Sequence, residues 1–275
     1  MSTLRRRLDV ELVRRQLVMS RAEAQEAIAA GLVTVDGAPA LKSGTQVAPA
    51  QAVSVKRSAR RFVSRGGEKL ARALEVFALD VSGRVCLDAG ASTGGFTDVL
   101  LQAGAREVWA FDVGYGQIHE RLRTDVRVHV RERVNVRDIT LEQLGGARPD
   151  LLVADVSFVS LTKVLGPLKH VLHADAEAVL LVKPQFEAGR ADVQRGGIVR
   201  DDAVWRRVII DVITYAITLG WYPYGVTVSP ITGPKGNVEF LLHLGPQSSE
   251  AALSAAIDRA IEQAVTHGHT LQAKQ

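Results

Sequence analysis

The chain has 275 residues, 47% of them hydrophobic, with one cysteine and a formal net charge of +4. That is enough apolar material for one large domain beside a small one, and too much for disorder to be the default. No stretch approaches ~20 consecutive apolar residues and the Arg-rich start has no apolar signal core, so a soluble cytoplasmic protein, without a membrane partner, is expected.

The charge is unevenly spread. Residues 1–63 hold 11 Lys/Arg against 5 Asp/Glu, net +6, and residues 64–275 hold 23 against 25, net −2. A basic module joined to a roughly neutral one suits a polyanion-binding attachment, since phosphate neutralisation supplies most nucleic-acid affinity, although a merely solvated face gives the same count.

In the front segment, Leu8, Leu12 and Val13 fall on one helical stripe. Ser20 is a suitable N-cap for a second helix from Arg21, with Glu23 closing a capping box and Ala24, Ala27 and Ile28 on its apolar face. Gly31 stops that helix. Val33–Val35, the Asp36-Gly37 turn and Val53–Val55 read as small strands. Lys56 to Val63, KRSARRFV, is polar and basic with one aromatic and reads as a linker, and Phe62-Val63 could pin the two modules. A helix through Leu70, Ala73, Leu74 and Phe77 follows, with Lys69 in its first turn, where the macrodipole disfavours a cation.

The centre of the chain is VCLDAGASTGGFTDVLL, Val85 to Leu101. It reads as a strand ending on Asp88, a turn with Gly90, Gly94 and Gly95, and a helix entered at Phe96. Glycines admit a ligand close to the backbone, and the helix N-terminus offers free N–H groups. The dinucleotide spelling G-x-G-x-x-G is not met, which disfavours an NAD-dependent dehydrogenase. A carboxylate at Asp88 would repel a pyrophosphate but suits an ammonium or sulfonium, and S-adenosylmethionine fits. Glu107 to Asp112 is a second strand ending in an acid, where ribose hydroxyls are taken in such folds.

Alternation continues through strands at Val126–Val130, Asp150–Asp155 and Ala178–Lys183. Asp201 caps a long helix to Leu219, Gly225–Ser229 and Val238–Leu244 form a closing hairpin, and Ser249–Thr266 is a last amphipathic helix. Near-continuous apolar strands separated by helices mean a parallel, doubly wound α/β sheet, here with an antiparallel last strand. Sites in such sheets lie beyond the strands' C-terminal ends, where Asp88, Asp112, Asp155 and Lys183 fall. A charge ending an apolar strand is also how any strand reaches water, so it is their convergence on one rim that carries weight.

Several stretches carry family resemblances. RLDVELVRRQLVMSRAEAQEAIAAGLVTVDG resembles the S4 RNA-binding domain, and Lys69, Asp155, Lys183 and Glu239 resemble the tetrad of the FtsJ-like ribose 2′-O-methyltransferases. With DAGASTGGF, ADVSF, KPQFE and GPKGNVEF, nearly the whole chain resembles the TlyA family. The resemblance implies a Rossmann-like class I methyltransferase sheet in residues 64–275, a small N-terminal S4 α+β domain in residues 1–57 and a linker at 58–63. It implies S-adenosylmethionine as cofactor, no required metal, and a cytidine 2′-hydroxyl in 16S and/or 23S ribosomal RNA, with ribosomal subunits as partners. ADVSF lacks the prolines of an exocyclic-amine site, which also favours an oxygen acceptor. The alternative is a non-catalytic S4-type ribosome-binding protein. The family also carries a haemolysin label, which neither a spanning helix nor a barrel alternation supports here.

The expected roles follow. Lysine has an unperturbed pKa near ~10.4 and serves as a base only when desolvation or a second cation lowers it. Lys183 is the expected proton acceptor, Lys69 its tuner, and Asp155 and Glu239 orient them. Asp88, Gly90, Ser92, Thr93, Gly94, Gly95, Phe96, Asp112, Asn135, Asp138 and Phe158 are the expected cofactor residues. Arg5, Arg7, Arg21, Lys42, Arg133, Arg137 and Arg190 are the expected RNA contacts.

Overall fold

A computed structural model describes residues 5–18, 21–56, 61–194, 196–246 and 250–272. The chain divides into two compact units, Met1–Arg61 and Phe62–Gln275. The expected Ser20 cap lies outside the described residues.

The first unit contains β1 (Arg6–Arg7), α1 (Leu8–Arg14), α2 (Arg21–Ala29), β2 (Val33–Val35), β3 (Ala38–Pro39), β4 (Gln46–Val47) and β5 (Val53–Val55). Leu8, Leu12, Ala24, Ile28 and Val33 form its core. Asp36 and Gly37 both take positive φ, +50° and +81°, which is what a two-residue turn between β2 and β3 needs. The sequence pattern gave no sign of β1, β3 or β4, whose two-residue lengths carry no periodicity.

The second unit runs α3 (Gly66–Val76), β6 (Val85–Ala89), α4 (Gly95–Gln102), β7 (Glu107–Asp112), α5 (Glu120–Arg123), β8 (Val128–Glu132), β9 (Leu151–Ala154), α6 (Leu165–Val171), β10 (Glu177–Val182), α7 (Pro184–Glu187), α8 (Asp202–Thr218), β11 (Tyr222–Val228), β12 (Phe240–Gly245) and α9 (Glu250–Gln272). Its seven strands form one sheet in the order β11-β12-β10-β9-β6-β7-β8. β12 is antiparallel to both neighbours and sits between β10 and β11, so the last strand is an interior one. Alternate residues of each strand serve opposite faces. Leu87, Ala89, Leu152 and Leu180 pack towards α6, α8 and α9, whereas Cys86, Leu151, Val153 and Leu181 pack towards α3 and α4. Cover on both faces is why these strands read as unbroken apolar runs. Cys86 belongs to that packing, and burial pushes its thiol up to about 12.

Three expectations shift. The third strand is Val128–Glu132 and not Val126–Val130, because Asp125 and Arg127 bond each other in the preceding turn and leave Val126 93% exposed. The last helix extends six residues past Thr266, to Gln272. Phe62 is buried in the second unit's own core beneath Gly67, where a Cβ would lie 2.6 Å from its ring. The Asp201 cap forms as read, accepting from Ala203 N at 2.9 Å. Among the described residues no helix is long and apolar enough to cross a membrane.

Candidate active site

A cleft of about 770 Å³ opens at the C-terminal ends of β6, β7 and β9. Gly90 and Ser92 from the turn after β6, Asp112 at the end of β7 and Val113 just beyond it, Asn135 to Arg137, the Asp155–Ser160 loop and Gln185-Phe186 of α7 line it. The glycine turn is needed for geometry. Gly90 has φ +89° and passes so close to the next strand that a Cβ would sit 2.5 Å from the Asp155 carbonyl oxygen.

Asp112 ends β7 with both carboxylate oxygens accepting backbone N–H groups, from Ser92 at 2.8 Å and Gly114 at 2.6 Å. This fixes the acid on the cleft wall beside the turn. Asn135 caps the short turn Val136–Asp138, accepting from Arg137 N, and lines the cleft as expected. Asp138 is exposed and does not line it.

The other turn residues do different work. Asp88 is fully buried, accepts from Thr97 Oγ1 at 2.6 Å and does not line the cleft, and burial pushes its carboxyl up to about 7. Thr93 is exposed, and its carbonyl accepts from His119 N. Gly94 has φ +92°, and a Cβ there would stand 2.2 Å from Leu122. At Gly95 a Cβ would meet Ser64 Oγ at 2.3 Å and Gly67 N at 2.9 Å. Gly95 thus lets the first turns of α3 and α4 touch. Phe96 is core.

That close approach sets Lys69. Its Nζ lies 2.5 Å from Glu239 Oε2, with side-chain exposures of 9% and 1%. Lys183 Nζ lies 2.5 Å from Asp155 Oδ1 and donates to Ser157 Oγ at 2.8 Å. The two ion pairs are neighbours, because Val182 pairs with Phe240 across β10 and β12, which brings Lys183 and Glu239 to adjoining strand ends. Gln185, two residues after Lys183, lines the cleft, and its Nε2 donates to Glu239 Oε1 at 3.5 Å. All four residues of the expected tetrad are therefore gathered, as two separate lysine–carboxylate pairs. The long glycine-rich connection after Glu187 is held to this region by buried Asn237, which accepts from Val199 N and donates to Gly197 O.

Phe158 has φ +64°, is 91% exposed and leans on Phe186 with ring centroids 5.1 Å apart. Arg137 lines the cleft, Arg133 lies over the Tyr115 ring at 4.1 Å, and Arg190 is exposed. In the first unit Arg5 and Lys42 are exposed. Arg7 and Arg21 instead bond the buried Asp9, at 3.1 and 2.9 Å, and hold its carboxyl well below the usual range. The residues not anticipated from sequence, Ser157 and Gln185, stand beside recognised ones in ADVSF and KPQFE, and only side-chain packing reveals their contacts.

The FtsJ-like methyltransferase model matches residues 62–246, and the S4 domain model matches residues 6–53. A 16S/23S rRNA (cytidine-2′-O)-methyltransferase TlyA from Mycobacterium tuberculosis is 50% identical over 265 residues, covering 96% of this chain and 98% of that one. The chain belongs to the TlyA family of FtsJ-like methyltransferases. Another TlyA relative, the 23S rRNA (cytidine-2′-O)-methyltransferase of Campylobacter jejuni, is 35% identical over 184 residues, 66% of this chain and 70% of its own. A solved structure from Streptococcus thermophilus that carries the hemolysin name aligns with a TM-score of 0.78 at 37% identity, over 99% of this chain and 98% of that one. As a TlyA-family methyltransferase the chain uses S-adenosylmethionine. The cleft suits that molecule, with a fixed acid at Asp112 for a ribose diol, and Val113, Val136 and Val156 as apolar wall for a purine.

Proposed function

We propose that this chain transfers a methyl group from S-adenosylmethionine to the ribose 2′-hydroxyl of a cytidine in ribosomal RNA, acting in the cytoplasm on ribosomal subunits and without a required metal. The observation that carries the reading is the Lys183–Asp155 pair at the cleft, backed by the Lys69–Glu239 pair at the next strand end.

When bound, the cofactor supplies an electrophilic methyl group on a sulfonium. A ribose hydroxyl is a weak nucleophile and must lose its proton as it attacks. Lys183, in its neutral form, takes that proton on Nζ and ends as an ammonium facing Asp155. Asp155 fixes the amine's direction throughout. Lys69, held by Glu239 at the adjoining strand end, is the second cation that tunes Lys183, and Glu239 orients it. Asp112 orients the cofactor, and Arg133, Arg137 and Arg190 hold phosphates near the target nucleotide. Arg5 and Lys42 supply charge for RNA contact in the first unit.

The test is tritiated-methyl transfer to isolated ribosomal subunits, with the product mapped by primer extension sensitive to 2′-O-methylation. Lys183→Ala should bind S-adenosylmethionine normally and give no product. Near wild-type transfer by that variant would sink the assignment.

A further inference from the structure

Lys183 has a second polar partner at the cleft besides its carboxylate. Its Nζ donates to Ser157 Oγ at 2.8 Å, and Ser157, like Asp155, lines the cleft. A neutral primary amine has two N–H donors and one lone pair on a tetrahedral nitrogen. One fixed acceptor leaves the lone pair free to occupy either of two staggered positions. Two fixed acceptors leave it one.

We propose that Ser157 is a positioning residue for methyl transfer, the second acceptor that turns the lone pair of Lys183 towards the substrate hydroxyl. The inference rests on the reading of Lys183 as proton acceptor.

The protein holds Ser157 in that place from both sides. Upstream, Asp155 is tied to Lys183 at 2.5 Å and its backbone N–H donates to Ala89 O at 3.0 Å. Immediately downstream, Phe158 takes φ +64°, a left-handed conformation that a non-glycine residue rarely adopts. The loop is next fastened at Glu187. Its carboxylate accepts from Ser160 Oγ at 2.6 Å and from Leu161 N at 2.9 Å. Glu187 closes the same short helix, α7, that directly follows Lys183. The loop from Asp155 to Leu161 is therefore fastened at both ends to the five residues Lys183–Glu187, with Ser157 between the two fastenings. Phe186, whose ring centroid is 5.8 Å from Lys183 Nζ, flanks the amine from the same stretch.

The experiment compares Ser157→Ala, Ser157→Thr and Lys183→Ala in the full-length protein. It uses steady-state methyl transfer to isolated ribosomal subunits and calorimetric titration of S-adenosylmethionine. Ser157→Ala should lower kcat about tenfold to about a hundredfold, as expected for a misaligned proton acceptor, with KM for the subunit and cofactor affinity unchanged. Ser157→Thr, which keeps the hydroxyl, should restore most of the rate. Unchanged kcat in Ser157→Ala, a raised KM at unchanged kcat, or no rescue by threonine would each overturn the proposal. If Lys183→Ala is itself fully active, the proton-acceptor reading fails instead, and the two failures are told apart.

Discussion

Lys69 and Glu239 are 170 residues apart in the chain, yet their charged atoms lie 2.5 Å from one another in the interior. An isolated lysine three residues into α3 has no stabilising reason to be there, since the helix dipole opposes it. The carboxylate that arrives with β12 supplies one. Breaking a buried pair by removing one partner leaves a desolvated charge and costs about 3–5 kcal/mol, whereas replacing both partners with apolar groups is often neutral. Glu239→Gln should therefore lower stability by about that amount in urea unfolding. Lys69→Met combined with Glu239→Leu should recover most of the stability and still transfer no methyl group. A stable double variant with full activity would show the pair to be structural alone.

A second prediction separates backbone freedom from close packing. Gly90 and Gly83 both have positive φ, +89° and +72°. A Cβ at Gly90 would overlap the Asp155 carbonyl, while at Gly83 nothing lies within 4 Å. Gly83→Ala should cost only the conformational penalty, about 1–2 kcal/mol, and leave transfer rates unchanged. Gly90→Ala adds a clash that displaces Asp155, so kcat should fall at least about tenfold. Equal behaviour of the two variants in stability and rate would refute the packing account.

The architecture was legible because both faces of the sheet are covered, which leaves long apolar runs ending on Asp88, Asp112, Asp155 and Lys183. The tetrad was legible through resemblance. What the sequence could not separate is a glycine that admits a ligand from one that admits a neighbouring helix. Gly90 borders the cleft, whereas Gly94 and Gly95 accommodate Leu122 and the start of α3. The same ambiguity holds for acids and arginines. Asp88 and Asp112 both end strands, but only Asp112 lines the cleft. Arg7 and Arg21 belong to the basic first segment, yet both neutralise Asp9, which is two residues from Arg7 and which the packing of α1 on α2 brings to Arg21.

Asp88 has a consequence for pH. Burial raises its carboxyl from 3.8 to about 7. Between those values the folded protein binds a proton that the unfolded chain releases, so this group's contribution is complete below about pH 4 and is lost as pH rises through about 7. Asp88→Asn removes the titration. Measured by denaturant unfolding, the stability of Asp88→Asn relative to wild type should rise from about pH 5 to about pH 8. Groups common to both proteins cancel in that comparison, and a difference that stays flat with pH would show Asp88 to be ionised in the folded state throughout.

The basic residues of the first unit should sort into two kinds. Arg5 and Lys42 are exposed, and no acid is paired with either among the described residues. Charge reversal at these two positions should leave the melting temperature of the unit unchanged and weaken RNA binding. Because every phosphate that a cation neutralises releases condensed counterions, the slope of log affinity against log salt should become shallower by about 0.7–0.9 for each phosphate left without its cation. Arg7 and Arg21 instead neutralise a carboxylate with no solvent exposure. Arg7→Ala combined with Arg21→Ala leaves Asp9 without a cation, and the α1–α2 pair that it joins should loosen. The melting temperature should then drop, and replacing Asp9 by Asn in the same background should restore it. If the double arginine variant melts like wild type and only its RNA affinity changes, the two guanidiniums serve the RNA and Asp9 is held by other groups.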